Sequence, residues 1–277
     1  MCVGLVFTFG LMEVGCKNQS SNGTVDELFK QGDHIIKKAV EDVDGNKYDA
    51  VKLGEQVWMA ENLRTKSKAK PYPKDIDIKE WPEEFYYALG DDPEIDVKLS
   101  ARGCSDDVYY NVFAARSQSI CPEGWRVPSK SDVEQLLDYL PTQKEYISGN
   151  SEYNVAKSLA SASSEWTHYS NPSEDEYAHV GCNPINTNNA TGFNARPKGS
   201  MSRYSGRISS DNISRVYLSY TSVLAIFWTS TENNELGISN YCFGFNYGNS
   251  NVLTEFEEGR LSTSESFVPI RCIKESE

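Results

Sequence analysis

Few side chains in this sequence are placed to do chemistry. Its three histidines are the groups that titrate nearest neutral pH, and none lies beside an obvious partner. His34 is close to the amino end, and His168 and His179 fall in a stretch rich in Ser, Asn and Pro. Proton transfer, nucleophilic attack and metal-assisted hydrolysis each need a defined group in a defined setting. No HExxH, GxSxG or P-loop pattern supplies one. Asp42, Asp44 and Asn46 are spaced like the first ligands of a calcium loop. However, Gly45 is misplaced and Leu53 occupies the position where an EF-hand requires a bidentate Glu. No catalytic residue and no metal ligand is assigned, and the chain is read as a protein that is not an enzyme.

The one grouping with recognition chemistry lies in 233–251, NNELGISNYCFGFNYGNSN. Tyr241, Phe243, Phe245 and Tyr247 alternate, so on a strand they share one face. Aromatic faces beside Asn and Gly suit sugar rings or a protein partner. The same alternation also marks a sheet face turned into a core, and both readings stand at this level.

The amino end, MCVGLVFTFGLM, is apolar and uncharged. It is too short to span a bilayer as a mature helix, and its length fits the apolar region of a signal. Small Gly15 precedes Cys16, and polar KNQSSNGT follows. This resembles a bacterial lipoprotein signal, which implies cleavage after residue 15, lipidation of Cys16 and a place at the outer membrane or cell surface. The lipid is then the only contact with the membrane.

Such processing removes Cys2 and consumes Cys16. Cys104, Cys121, Cys182, Cys242 and Cys272 remain, enough for at most two bridges and one thiol. Their wide spacing without a CxxC argues against zinc. An exported location permits disulfides, and the spacings leave the partners open.

A formal charge of -13 excludes a phosphate backbone as partner, since that binding rests on clustered Lys and Arg. The apolar and charged fractions suit a loop-rich globular protein. Residues 16–39 read as an anchored tether ending in a short helix, with Leu28, Phe29, Ile35 and Ile36 at near-helical spacing over 26–39. A single domain is expected over 40–277. Asp44-Gly45-Asn46 predicts a hairpin turn, and Gly54-Glu55 a second turn between strands 48–53 and 56–59. Residues 109–118 read as a strand. Ser129, with Asp132 three residues on, predicts a capped helix with Val133, Leu136, Leu137 and Leu140 on one face, ended by Pro141. A second helix is expected near 153–162, an insertion loop over 163–189, and short strands from 190 onward.

Five ordered words carry a resemblance. They are Gly54 with Gln56-Val57-Trp58-Met59-Ala60-Glu61-Asn62-Leu63, then Cys121-Pro122-Glu123-Gly124-Trp125-Arg126-Val127-Pro128, Gly192-Phe193-Asn194-Ala195, Phe227-Trp228-Thr229-Ser230-Thr231-Glu232, and Arg271-Cys272. Over roughly 42–274 the chain resembles the Fibrobacter succinogenes major paralogous domain family, also common in Bacteroidetes. That family looks related to the C-type-lectin-like and formylglycine-generating-enzyme group. The resemblance implies an α+β, C-type-lectin-like fold: two helices, small twisted antiparallel sheets and extensive loops. It also implies a long bridge between Cys121 and Cys272, export, and often a lipid anchor. Physically, Trp58, Trp125 and Trp228 read as core plates, Glu61 and Asn62 as loop fasteners, and Arg126 and Arg271 as partners of buried carboxylates.

No cofactor is assigned. A lectin-type calcium site draws ligands from scattered loops and stays open, but neither Glu-Pro-Asn nor Trp-Asn-Asp occurs to support it. The sequence therefore reads as a lipid-anchored binding module for a glycan or a surface protein. The second reading is a structural subunit or tip component of a surface assembly. The third, an oxidase of the formylglycine-generating type, lacks a cysteine close to Cys242 in the C-terminal segment.

Overall fold

The structure, a computed structural model, describes residues 34–72, 83–88, 107–117, 119–168, 177–182, 187–205, 214–233, 239–254 and 266–276. The expected signal segment, Cys16, the amino half of the expected first helix and Cys104 lie outside the described residues.

In chain order the strands are β1 (His34–Glu41), β2 (Lys47–Leu53), β3 (Gln56–Met59), β4 (Lys70–Pro71), β5 (Phe85–Ala88), β6 (Val108–Tyr110) and β7 (Trp125–Arg126). They continue as β8 (Ser200–Ser205), β9 (Ser214–Ser219), β10 (Leu224–Glu232), β11 (Asn240–Asn246), β12 (Ser266–Phe267) and β13 (Ile273–Lys274). The helices are α1 (Val112–Arg116), α2 (Lys130–Tyr139) and α3 (Ala156–Leu159). A five-stranded sheet has the order β1-β2-β3-β13-β7, so the last strand closes onto the first hairpin. Smaller sheets are β10-β11, β12-β8-β9 and β4-β5-β6. Small antiparallel sheets with few helices make this an α+β fold, as expected.

Period-two alternation explains how the sheets are covered. On β2 and β3, Tyr48, Ala50, Val57 and Met59 enter one apolar cluster, while Val51, Leu53 and Trp58 enter another. β10 divides likewise, with Ile226 and Trp228 on one side and Ala225 and Phe227 on the other. The strands are buried on both faces, which is why 48–53 alternates imperfectly in sequence. The core rings expected at Trp58, Trp125 and Trp228 are all buried.

Local signals place the turns. Asp42 closes the β1–β2 hairpin, accepting from the amides of Asp44 and Asn46, the Tyr48 hydroxyl and the Thr65 hydroxyl. Gly45 takes the positive φ that this turn demands. Ser129 caps α2 through a reciprocal capping box with Asp132, and Arg126 holds Asp132 by bonds of 2.6 and 2.8 Å. Pro141 follows in a 3-10 turn, Leu140–Thr142.

Four expectations are corrected. Residues 34–39, predicted helical, belong to β1, which starts six residues before the expected domain boundary. Ile36 and Val40 are buried there, and pairing with β2 overrides the local spacing. Residues 109–118 are not one strand: β6 ends at Tyr110, and buried Asn111 turns the chain into α1. Its side chain accepts from the amides of Phe85 and Ala114. The 163–189 segment is not a simple surface insertion, since Trp166, Val180 and Cys182 are buried in the main core. The second helix is a single turn, because Ala160 already bridges to Ala195.

Candidate functional site

A cavity of about 320 Å³ opens where β1 and β2 meet the segment after β3 and the 189–196 turn. Its walls are mostly polar, and each of its charged side chains is held by a neighbour. Lys37 pairs with Asp49 at 2.7 Å. The other Asp49 carboxylate oxygen accepts from the Lys38 amide at 2.9 Å, where Lys38 sits at φ 51 in the bulge of β1. The Asp49 amide in turn donates to Glu61 at 3.1 Å. Arg64 reaches Glu61 at 2.8 Å and lies over the Tyr48 ring at 4.5 Å. Burial, and the Asp42 carboxylate to which it donates, push the Tyr48 hydroxyl far above its usual pKa, so that ring is neutral support.

The opposite wall is a backbone feature. Asn189, Gly192 and Asn194 all have positive φ, and Asn189 Oδ1 accepts from the Asn194 amide at 2.7 Å. Gly192 takes φ 77, which favours glycine, and a Cβ there would come within 2.6 Å of the Ile35 side chain and push it aside. Beyond it Arg196 pairs with Glu165, and Lys198 meets Asp107 at 2.8 Å.

Arg271 forms the floor. It is 1% exposed and is stacked between Phe193 and Phe227, 4.4 and 4.8 Å from their ring centres. It donates to the Phe193 carbonyl and, at 2.8 Å, to Asn62 Oδ1. The expectation of a buried carboxylate partner is therefore corrected: an amide and carbonyls take that place, because the chain brings the 193–194 backbone to this point. Burial lowers the Arg271 pKa to about 9, with Glu61 acting against the shift. Asn62 and Glu61 do fasten loops, as expected, and they also line the cavity.

The aromatic strand lies elsewhere. Phe243 and Phe245 are each 1% exposed and pack with Trp58, Phe227 and Trp166, so as ligand-contacting rings they are corrected to core residues. They share a face, but it is the face opposed to the helices and Trp58. Tyr241 is half-buried, with Lys130 over its ring at 4.2 Å, and half-buried Tyr247 packs against the same core as the two Phe residues. The four rings therefore form no open platform.

Cys121 and Cys272 form a disulfide that closes a separation of 151 residues. Cys182 and Cys242 are buried thiols, and burial pushes the Cys242 thiol well up. A thiolate is thus disfavoured at the position where thiol chemistry was considered. Among the described residues no group of His, Cys, Asp and Glu is clustered to hold a metal ion. His168 is exposed and does not line the cavity.

Sequence reasoning missed Lys37, Asp49, Arg64, Asn189 and Arg196 as site residues. They come from four separate segments, and of them only Asn189 carried a signal, as a residue tolerant of positive φ in a stretch that contains a glycine.

A family model described as the Fibrobacter succinogenes major domain matches residues 51–274. No curated protein matches the chain, and no solved structure does.

Proposed function

The chain belongs to the Fibrobacter succinogenes major domain family, and from that premise we propose that it is an exported, lipid-anchored binding module. It recognises a glycan at the bacterial cell surface and catalyses no reaction. The observation that carries this reading is the cavity of about 320 Å³, walled by amide side chains and by charged side chains that are each paired. Small-ligand sites begin at about 300 Å³. Asn62, Arg64 and Asn194 offer donors and acceptors of the kind that bind vicinal hydroxyls; Glu61 holds Arg64 and Arg271 holds Asn62. The two longer helical segments beside small antiparallel sheets, and a disulfide joining the chain's middle to its last strand, support a C-type-lectin-like arrangement.

A glycan-array screen of the protein, with and without calcium, tests the binding. Retention of a defined glycan that is lost on Arg64→Ala and on Asn194→Gly, which keeps the positive φ, with unchanged unfolding midpoints, supports the site. If no glycan is retained and a stoichiometric protein partner co-purifies, the module is instead a subunit of a surface assembly. Incorporation of labelled palmitate in the native host, abolished by Cys16→Ser, tests the anchor.

A further inference from the structure

At the far wall of the cavity, where Asp107 and Arg196 line it, lies a second group of titratable side chains. Lys198 is 2% exposed. Its ammonium lies 2.8 Å from Asp107 Oδ2 and 3.5 Å from Glu165 Oε1. Glu165 is itself clamped by Arg196, whose Nε donates to Oε2 at 2.9 Å while Nη2 binds Oε1. All three are held by the backbone around them. Asp107 leads directly into β6, and the hydroxyl of Tyr109 on that strand donates to the Lys198 carbonyl at 2.8 Å. Lys198 is followed by Gly199, whose amide donates to Leu224 at 2.8 Å. Glu165 precedes buried Trp166, whose indole donates to Ser161 at 3.2 Å. An amine, a carboxyl and a second carboxyl thus converge from segments 33 and 91 residues apart.

We propose that Lys198 and Asp107 condense into an intramolecular amide, with Glu165 as the proton shuttle. A proton passes from Lys198 Nζ to Asp107 along their hydrogen bond, leaving a neutral amine facing a neutral acid. Nζ attacks Asp107 Cγ to give a tetrahedral centre. Glu165 takes a proton from the attacking nitrogen and delivers it to the departing hydroxyl. The Cγ–O bond breaks as the Nζ–Cγ amide forms, one water leaves, and Glu165 returns to its carboxylate. No oxidant or reductant is needed.

Three physical points favour the reaction at this site. Rigid juxtaposition converts a slow bimolecular condensation into an intramolecular one. Burial raises the Asp107 carboxyl above its ordinary value, against the pull of the Lys198 cation, so the neutral acid is within reach. Replacing two buried charges by a neutral amide removes their desolvation cost. Asp107 and Arg196 both line the cavity, which gives the released water an exit. The product would tie the strand system of β6 to that of β8 independently of the Cys121–Cys272 bridge.

The test is the mass of the folded, full-length chain after reduction. The expected result is a deficit of one water, together with a branched peptide in a protease digest that joins the Asp107 segment to the Lys198 segment. Lys198→Ala and Asp107→Ala should each restore the full mass. Asp107→Asn should still cross-link, now losing ammonia in place of water. Glu165→Gln, which keeps the shape, should leave most of the chain unlinked. A full mass in the folded wild-type protein would mean an ion pair only and overturns the proposal. So does a lost water without the branched peptide, as a succinimide would give. Complete linkage in Glu165→Gln overturns the role of Glu165.

Discussion

The side-chain oxygen of Asn62 accepts from Arg271 Nη2 at 2.8 Å, across 209 residues of sequence. One bond thereby fastens the cavity wall to the segment that carries the disulfide. Asn62→Ala leaves the buried Arg271 Nη2 with only the Asn194 carbonyl at 3.5 Å, at a cost of about 1–3 kcal/mol. Urea unfolding should show that loss with an unchanged denaturant slope.

The disulfide gives a larger effect. Cys121→Ser with Cys272→Ser frees a loop of 151 residues. The chain-entropy relation puts the loss at about 5 kcal/mol. Thermal unfolding of the double variant against the oxidised protein measures it, and a loss below a fifth of that would show that the native bridge is not what limits the unfolded chain.

Placement of the aromatic strand is tested by a pair of substitutions. Phe243→Ala removes a ring from the core between Trp58 and Phe227 and should cost about 3–5 kcal/mol. Tyr241→Ala, on the same face but at the half-buried end of the strand, loses mainly its contact with Lys130 and should cost about 1 kcal/mol or less. Equal costs would contradict the burial of Phe243.

Acid should weaken the fold through two carboxylates. At Asp132 burial works to raise the pKa, but bonds from Arg126 and Ser129 outweigh it and hold the group below 3.8. At Asp42 burial is likewise outweighed, by Tyr48, Asn46 and Thr65. A carboxyl depressed in the folded state adds stability that is complete above its unfolded value and is lost as pH falls through the folded value. Urea midpoints should therefore drop as pH falls below 3.8, and Asp132→Asn should flatten that drop while lowering stability at neutral pH.

Binding and folding separate at Arg64. Its partial exposure and its pairing with Glu61 make Arg64→Gln a mild change in stability, about 1 kcal/mol at most. Under the proposed function the same change should abolish glycan retention, so a variant that unfolds normally and still binds would move the site elsewhere.

Local chemistry was legible wherever a few neighbouring residues decide the outcome. Asp44-Gly45 gave the hairpin, Ser129 with Asp132 gave the start of α2, and Pro141 gave its end, because turns and caps are made by residues within four positions of one another. The first strand was not legible. Ile35 and Ile36 fit a helical spacing with Leu28 and Phe29, and only pairing with β2, Ile36 opposite Ala50 and Val40 opposite Tyr48, makes the segment a strand.

The amino-acid sequence by itself determined the family, the α+β class, the large core rings and the pair of cysteines that the family pattern joins. Tertiary structure alone decided which alternating rings face inward, since buried and exposed strand faces share the same period of two. It also decided that Lys37, Asp49, Glu61, Arg64 and Arg271 share one cavity, and that Lys198 meets Asp107 and Glu165. Those meetings join segments far apart in the chain. The free energy that brings them together is the burial of apolar surface, which carries no local signature of the polar groups it assembles.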